Sequence, residues 1–211
     1  MTAELISVGT ELLMGNIVNG NAQFLAEQCA ALGFGMYYQV TVGDNYGRMK
    51  AVIETALERS DIVILTGGLG PTEDDLTKEV CAEAMGMKLV EDTHTREHLK
   101  SFFENNIYKE IPENNWKMAV VPEGAFVLDN GNGMAPGLIL EKEGKTAILL
   151  PGPPGELYPM FRQQVLPYLQ KRQQQALVSR MVKICGYGES QVEDMLLDLI
   201  DNKTNPPIAT Y

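Results

Sequence analysis

Apolar and polar positions alternate along the first 90 residues in two rhythms. Ala3 to Val8 is a short apolar run that ends in Gly9. From Asn21 to Leu32 the spacing becomes helical: Leu25, Cys29 and Leu32 share one face, and Gly33 supplies a stop. Met36 to Val42, β-branched and aromatic, predicts a strand. Asp44 then stands as a candidate cap for a helix that turns Met49, Val52, Ile53, Ala56 and Leu57 inward. Asp61 to Thr66 predicts a strand with no polar alternation over Ile62 to Leu65, which suits coverage on both faces. A helix from about Leu76 to near Gly86 completes a third strand–helix pair.

Strands alternating with helices imply right-handed crossovers and a largely parallel sheet. Such sheets bind ligands outside the carboxyl ends of their strands. Gly9-Thr10-Glu11, Gly43-Asp44-Asn45 and Gly67-Gly68-Leu69-Gly70 are therefore expected along one edge. Further on, Asp92 to Asn106 predicts a helix and Tyr108 to Asn115 a loop. Leu138 to Leu140 and Thr146 to Leu150 flank Glu143-Gly144, a hairpin signal that adds an antiparallel edge to the sheet. Pro151-Gly152-Pro153-Pro154-Gly155 opens a helix to about Gln170, and the charged, Gln-rich stretch Lys171 to Gln175 marks a boundary.

The expected organisation is an α/β domain over 1–170 and the start of a small α+β domain over 176–211. In the latter, Ala176 to Cys185 is strand-like. Ser190 and Glu193 read as a capping box before a helix carrying Val192, Met195, Leu196, Leu199 and Ile200, and Pro206 to Tyr211 is extended. A strand, a helix and a strand stub bury little on their own, so this second domain is expected to be incomplete in a truncated chain.

Composition narrows the function. A net charge of −11 without a basic stripe argues against nucleic-acid binding. No apolar run approaches the ~20 residues of a membrane span, and the N-terminus does not read as a secretory signal. Cys29, Cys81 and Cys185 are too scattered for a disulfide framework or a zinc site, and Cys29 and Cys81 read as buried free thiols. A cytoplasmic setting is expected. An unfinished domain with exposed strand edges invites self-association, so a homo-oligomer, a dimer, is the expected state.

The chemistry concentrates in Thr66-Gly67-Gly68-Leu69-Gly70-Pro71-Thr72-Glu73-Asp74-Asp75-Leu76-Thr77, between a strand and a helix. Glycines let a backbone approach an anion closely, and a helix start adds N–H donors. Asp74 and Asp75, expected at the first helical turn, either complement the helix dipole or hold a hard cation such as Mg²⁺ against substrate phosphates. No G-K-[ST] follows, so this is not a P-loop. Leu150 to Glu156 is a second strand-to-helix junction, either a rigid turn or, through Gly152, Pro153 and Glu156, a second wall for an elongated ligand. Thr10, Glu11, Asp44 and Asn45 lie at the remaining strand ends as polar contacts, with Asp44 a candidate third metal ligand or simply a cap. Asn19 and Asn21 resemble caps that could also face the cleft. His94-Thr95-Arg96-Glu97-His98 matches H-x-x-E-H formally, but its polar surroundings and the lack of a third ligand favour a solvated helix face. Trp116 and the methionines are expected in the core.

Gly9-Thr10-Glu11-Leu12-Leu13-Met14-Gly15, Thr66 to Thr77, Ala135-Pro136-Gly137 and Leu150 to Glu156, in that order, resemble the N-terminal domain of the CinA (competence/damage-inducible) family. That domain has a molybdopterin-binding-like fold. The resemblance implies a three-layer α/β/α sandwich with a mostly parallel mixed sheet for about 170 residues. It implies a small second domain near Ala176, begun by Gly186 to Ser190 and Asn205 to Tyr211. It also implies metal-dependent ADP-ribose pyrophosphatase activity. Asp75 falls where molybdopterin-binding relatives place their key aspartate, and Asp74 is the additional acid of the CinA branch. Where the family reads N-x-K-Q-A, this chain has Asn115-Trp116-Lys117-Met118-Ala119, with Met118 in place of glutamine. Many members carry a C-terminal domain that deamidates nicotinamide mononucleotide, and nothing in these 211 residues matches it.

Three functions are compatible with these residues. One is a hydrolase for the diphosphate of ADP-ribose or a similar dinucleotide. In it Asp74 and Asp75, with Asp44, hold a divalent ion (Mg²⁺ or a transition metal), and Gly67, Gly68, Gly70, Thr72 and Gly152 face the phosphates. The second is a molybdopterin-binding or molybdopterin-adenylylating protein using the same cradle. The third is a non-catalytic module of a longer protein.

Overall fold

The computed structural model describes residues 1–104, 110–172, 181–202 and 208. They fall into two compact units, Met1–Val178 and Ser179–Tyr211. In the first, strand β1 (Thr2–Val8) leads through a helical turn, α1 (Thr10–Leu13), to helix α2 (Gly20–Ala31) and strand β2 (Gly35–Val42). Helix α3 (Tyr46–Arg59), strand β3 (Ile62–Thr66) and helix α4 (Thr77–Ala84) follow. Then come strand β4 (Leu89–Glu91), helix α5 (Thr93–Glu104), a 3₁₀ segment (Glu113–Ala119), and strands β5 (Val120–Pro122) and β6 (Phe126–Leu128). Strands β7 (Gly137–Lys142) and β8 (Lys145–Leu150) form the expected hairpin, closed by Glu143 and Gly144 at positive φ. Helix α6 (Pro154–Met160), a π-helical turn (Phe161–Val165) and α7 (Leu166–Gln170) end the unit's described elements.

The main sheet has the order β2-β1-β3-β8-β7-β6. Strands β1, β2, β3 and β8 are parallel, and β7 and β6 add the antiparallel edge. Period-two patterning divides the core between its faces. Leu5, Ile62, Ile64 and Ile148 meet Phe24, Leu25 and Cys29 of α2 and Leu157 and Phe161 of the α6 region. Ile6, Val8, Val63, Leu65 and Leu149 meet Met49, Ile53 and Ala56 of α3 and Val80 and Cys81 of α4. Two helical layers thus enclose the sheet, the expected three-layer sandwich. Burial pushes the Cys29 and Cys81 thiols up to about 12, so both are inert apolar fillers at neutral pH. The apparently apolar β1 also carries a fully buried carboxylate, Glu4, held by Arg59 through two charge-assisted hydrogen bonds of 2.9 and 2.6 Å.

Several local expectations shift. The cap of α3 is Asn45, whose Oδ1 accepts the Arg48 N–H at 3.1 Å, and not Asp44, which is turned toward Thr10. Replacing Asn45 by alanine is expected to cost about 1 kcal/mol, measured by urea denaturation, while aspartate, which keeps the acceptor, is expected to be neutral. Part of the expected loop Tyr108 to Asn115 is the 3₁₀ segment, and residues 105–109 lie outside the described residues. Met49, Met85, Met118 and Met160 are buried and Trp116 packs against the Leu99–Met118 cluster, whereas Met14, Met181 and Met195 are exposed.

In the second unit helix α8 (Glu189–Asp201) starts before the expected box. Its cap is Gly188, whose N–H donates to Gln191 Oε1 at 3.0 Å, so Ser190 lies inside the helix and does not cap it. Residues 181–185 form no strand, and 173–180 lie outside the described residues. Of the segment expected to be extended from Pro206, only Ile208 is described. Among the described residues no helix is long and apolar enough to cross a membrane.

Candidate functional site

Because β1, β2, β3 and β8 run parallel, the segments that leave them share the carboxyl edge: Gly9–Glu11, Gly43–Asn45, Gly67–Asp75 and Pro151–Pro154. The edge predicted from the alternation of elements is therefore real, and a fourth loop joins it.

The glycine loop after β3 is held from within. Gly67 donates its N–H to the Leu150 carbonyl at 3.0 Å, so this amide, expected to face a phosphate, is committed to the β8 junction. The buried Thr77 receives the loop: its hydroxyl donates to the Gly67 carbonyl at 2.8 Å and its N–H to the Gly68 carbonyl at 3.1 Å. The first amide of α4 thus faces the loop's own backbone. Gly68 and Gly70 remain as the positions for close approach.

Asp74 and Asp75 lie in a turn before α4, whose first helical residue is Thr77. They are not in its first turn, so complementing the helix dipole does not account for them. Thr72 does: its N–H donates to Asp75 Oδ2 at 3.0 Å, and its hydroxyl is within reach of both Asp74 Oδ1 and Asp75 Oδ2. The Thr72 hydroxyl, the turn's own backbone N–H and the nearby Lys117 charge hold the exposed Asp74 carboxyl below the usual aspartate range.

Two lysines that the sequence reading did not place in the site lie beneath this turn. Lys117 Nζ donates to the Thr72 carbonyl at 2.8 Å and also to the Asp75 carbonyl. Lys78, only 5% exposed, donates to the Lys117 carbonyl at 2.6 Å. Burial pushes the Lys78 ammonium below its ordinary range, against the pull of Glu79. Lys117 had a signal, its place in the N-x-K-x-A run, but nothing in spacing links it to a turn more than 40 residues earlier.

The Pro151–Pro154 loop adjoins the first: a Cβ on Gly152 would sit 3.6 Å from the Gly67 Cα. Prolines have no N–H, so Pro151, Pro153 and Pro154 offer an anion nothing, and Gly152 is the one amide in this run. The loop is a wall more than a cradle. Asn21 Nδ2 anchors it through the Gly152 carbonyl at 2.7 Å, while Asn19 caps α2 by accepting the Ala22 N–H. Pro153 precedes α6 as its cap residue. Glu156 accepts from Asn130 Nδ2 at 2.7 Å and packs beneath Gly133. The neighbouring Asn132 Nδ2 takes the Gly155 carbonyl at 2.7 Å, the acceptor that Pro159 leaves free inside the helix.

At the other strand ends, Asp44 Oδ2 accepts the Thr10 N–H and hydroxyl at 2.9 and 2.8 Å, and Glu11 folds back over Gly9. Among the described residues no three His, Cys, Asp or Glu side chains converge on a point that could hold a metal ion, so Asp44 does not join Asp74 and Asp75 in a three-ligand set. His94 pairs with Asp129 at 2.6 Å and is largely exposed, and His98 approaches the Gly133 carbonyl at 3.3 Å. This is a helix face docked on a loop, consistent with reading H-x-x-E-H as structural. Concavities of about 370 and 360 Å³ lie at the β7–β8 turn and along β2, and no candidate residue lines them.

A mostly parallel sheet with an antiparallel margin and an acid-bearing glycine loop at its carboxyl edge make this an α/β domain of the kind that binds ligands at strand ends, and the family match places it in the molybdopterin-binding-like class. Residues 4–171 match the family described as "Probable molybdopterin binding domain", and 179–211 match the "Damage-inducible protein CinA KH domain". The chain belongs to the CinA family. It is 54% identical over its whole length to competence-damage inducible proteins of Clostridium acetobutylicum and Caldicellulosiruptor bescii, and it spans about half the length (51%) of each. The crystal structure of CinA from Thermoplasma acidophilum, whose function is described as unknown, is similar at 34% identity and a TM-score of 0.72, covering 76% of this chain and 94% of that one. The molybdopterin biosynthesis enzyme MoaB of Thermus thermophilus shares the fold at 15% identity and a TM-score of 0.51, covering 81% of this chain and 96% of that one.

Proposed function

We propose that this domain binds the diphosphate of a nucleotide-like ligand along its carboxyl edge and hydrolyses it with a divalent cation, Mg²⁺ or a transition metal, held by Asp74 and Asp75. ADP-ribose is the substrate that the family resemblance suggests. The observation that carries this reading is the Thr72–Asp75 turn. It fixes two neighbouring carboxylates side by side through Thr72, which engages Asp74 Oδ1 and Asp75 Oδ2. Two hard oxygen donors suit a cation that completes its shell with phosphate oxygens and water. Such a cation, when bound, supplies charge neutralisation and Lewis acidity at the phosphates. The chain's own part is to hold the two acids side by side, to let the ligand close on Gly68 and Gly70, and to bound it with the proline loop.

The test is AMP release from ADP-ribose by the purified chain with a divalent metal, followed by chromatography. Release that stops on addition of a chelator is the expected result. Absence of release with every divalent metal rejects the reading. The match to a molybdopterin-binding family supports a second ligand, a pterin phosphate in the same cleft. Parallel calorimetry with molybdopterin and ADP-ribose separates the two. The half-length match to the relatives keeps a non-catalytic module as the third reading, which predicts ligand binding without AMP release.

A further inference from the structure

We propose that Lys117 is the positioning residue of the acid turn: its ammonium holds the Thr72–Asp75 backbone in the one shape that presents Asp74 and Asp75 together to a divalent cation. The inference deepens the proposed function and rests on its cation site. Lys117 stands on the 3₁₀ segment, an element apart from the loop it serves. Its Nζ donates to two carbonyls of a single turn, those of Thr72 and Asp75. Two carbonyl dipoles converging on one point repel each other, and an ammonium with three donors is a side chain that can gather them. Lys78 fixes the far end of the device by donating to the Lys117 carbonyl from a buried position.

The choice of acceptor is what makes this a positioning device. Among the described residues Lys117 forms no ion pair with either carboxylate; it takes the backbone beneath them. A direct pair would occupy the oxygens that the cation needs. Bound to the Thr72 and Asp75 carbonyls, Lys117 ties the backbone of the turn and does not occupy a carboxylate oxygen. Thr72 then aligns the carboxylates from above. One turn is thus tied at its backbone by a lysine and at its side chains by a threonine.

The test uses the full chain with Lys117→Met, which keeps the stem and removes the donors. Amide hydrogen exchange read by mass spectrometry reports the turn itself, and Mn²⁺ affinity measured with the metal alone reports its consequence. Exchange over residues 72–75 is expected to accelerate at least about 10-fold while β1 and β3 are unchanged, and Mn²⁺ is expected to bind roughly 10–100-fold more weakly. Lys117→Gln, with a donor but no charge, is expected to fall between wild type and Met, and it carries the same readouts if the Met variant does not fold. Unaltered exchange in either folded variant overturns the proposal, as does unaltered Mn²⁺ affinity beside faster exchange. If the wild-type chain binds no Mn²⁺, the cation site of the proposed function fails, and the exchange result alone then decides whether Lys117 clamps the turn.

Discussion

Asp75→Asn is expected to lower metal-dependent turnover of ADP-ribose at least about 100-fold in a protein that folds normally. The substitution is nearly isosteric. Asp75 Oδ2 accepts the Thr72 N–H, and the asparagine carbonyl oxygen can accept the same bond. The carboxylate lies close over Gly70, where a Cβ would sit 2.6 Å from Oδ2, so a larger side chain would distort the loop while asparagine does not. What disappears is the charge and one hard oxygen donor, and a cation beside a diphosphate depends on both. Asp74→Asn is expected to do less, because Asp74 is the more exposed of the two and does not accept the Thr72 N–H that anchors Asp75. The measurement is steady-state turnover at saturating metal, with a urea melt to show that stability has moved by less than about 1 kcal/mol. Normal turnover by folded Asp75→Asn removes Asp75 from the chemistry.

The strands and the large helices were legible because one-dimensional patterning suffices for them. Ile62 to Leu65 is apolar without interruption because β3 lies between β1 and β8 under two helical layers. The shared carboxyl edge followed from alternation alone. The short strands β4, β5 and β6, three residues each, carry no periodicity long enough to read. The caps were misplaced by one or two positions, since Asp44 and Asn45 are chemically equivalent candidates and only the fold decides that Thr10 claims the first.

Within the site, the sequence located the loops and missed their internal economy. Gly67, Gly68 and Gly70 all looked like anion donors, yet the Gly67 amide is used by Leu150. Asp74 and Asp75 suggested a helix start, yet they belong to a turn stabilised by Thr72 and Lys117. Contacts between residues more than 40 positions apart leave no trace in local spacing. Glu156 shows the same limit: its acid stood out in L-P-G-P-P-x-E, but its partner, Asn130, arrives from the β6–β7 connection.

The other large effect falls on Gly67. Gly67→Ala is expected to cost about 3 kcal/mol or more of unfolding free energy, for two separable reasons. Gly67 has a φ of +91°, a backbone conformation that an L side chain adopts only with strain. Its missing Cβ also faces the Val8 carbonyl oxygen, so a methyl group there would be driven into the backbone of the adjoining β1 and not into a side chain that could swing away. Gly124 separates the terms. Its φ of +81° is similar, but nothing lies within 4 Å of a Cβ at that position, so Gly124→Ala is expected to cost only about 1 kcal/mol, the conformational part. The difference between the two, read from urea denaturation at constant m, measures how tightly the glycine loop is pressed against β1. Equal costs would mean that β1 yields freely to the added methyl group. In that case the close approach of the β3 loop to Val8 would not be what fixes the cleft.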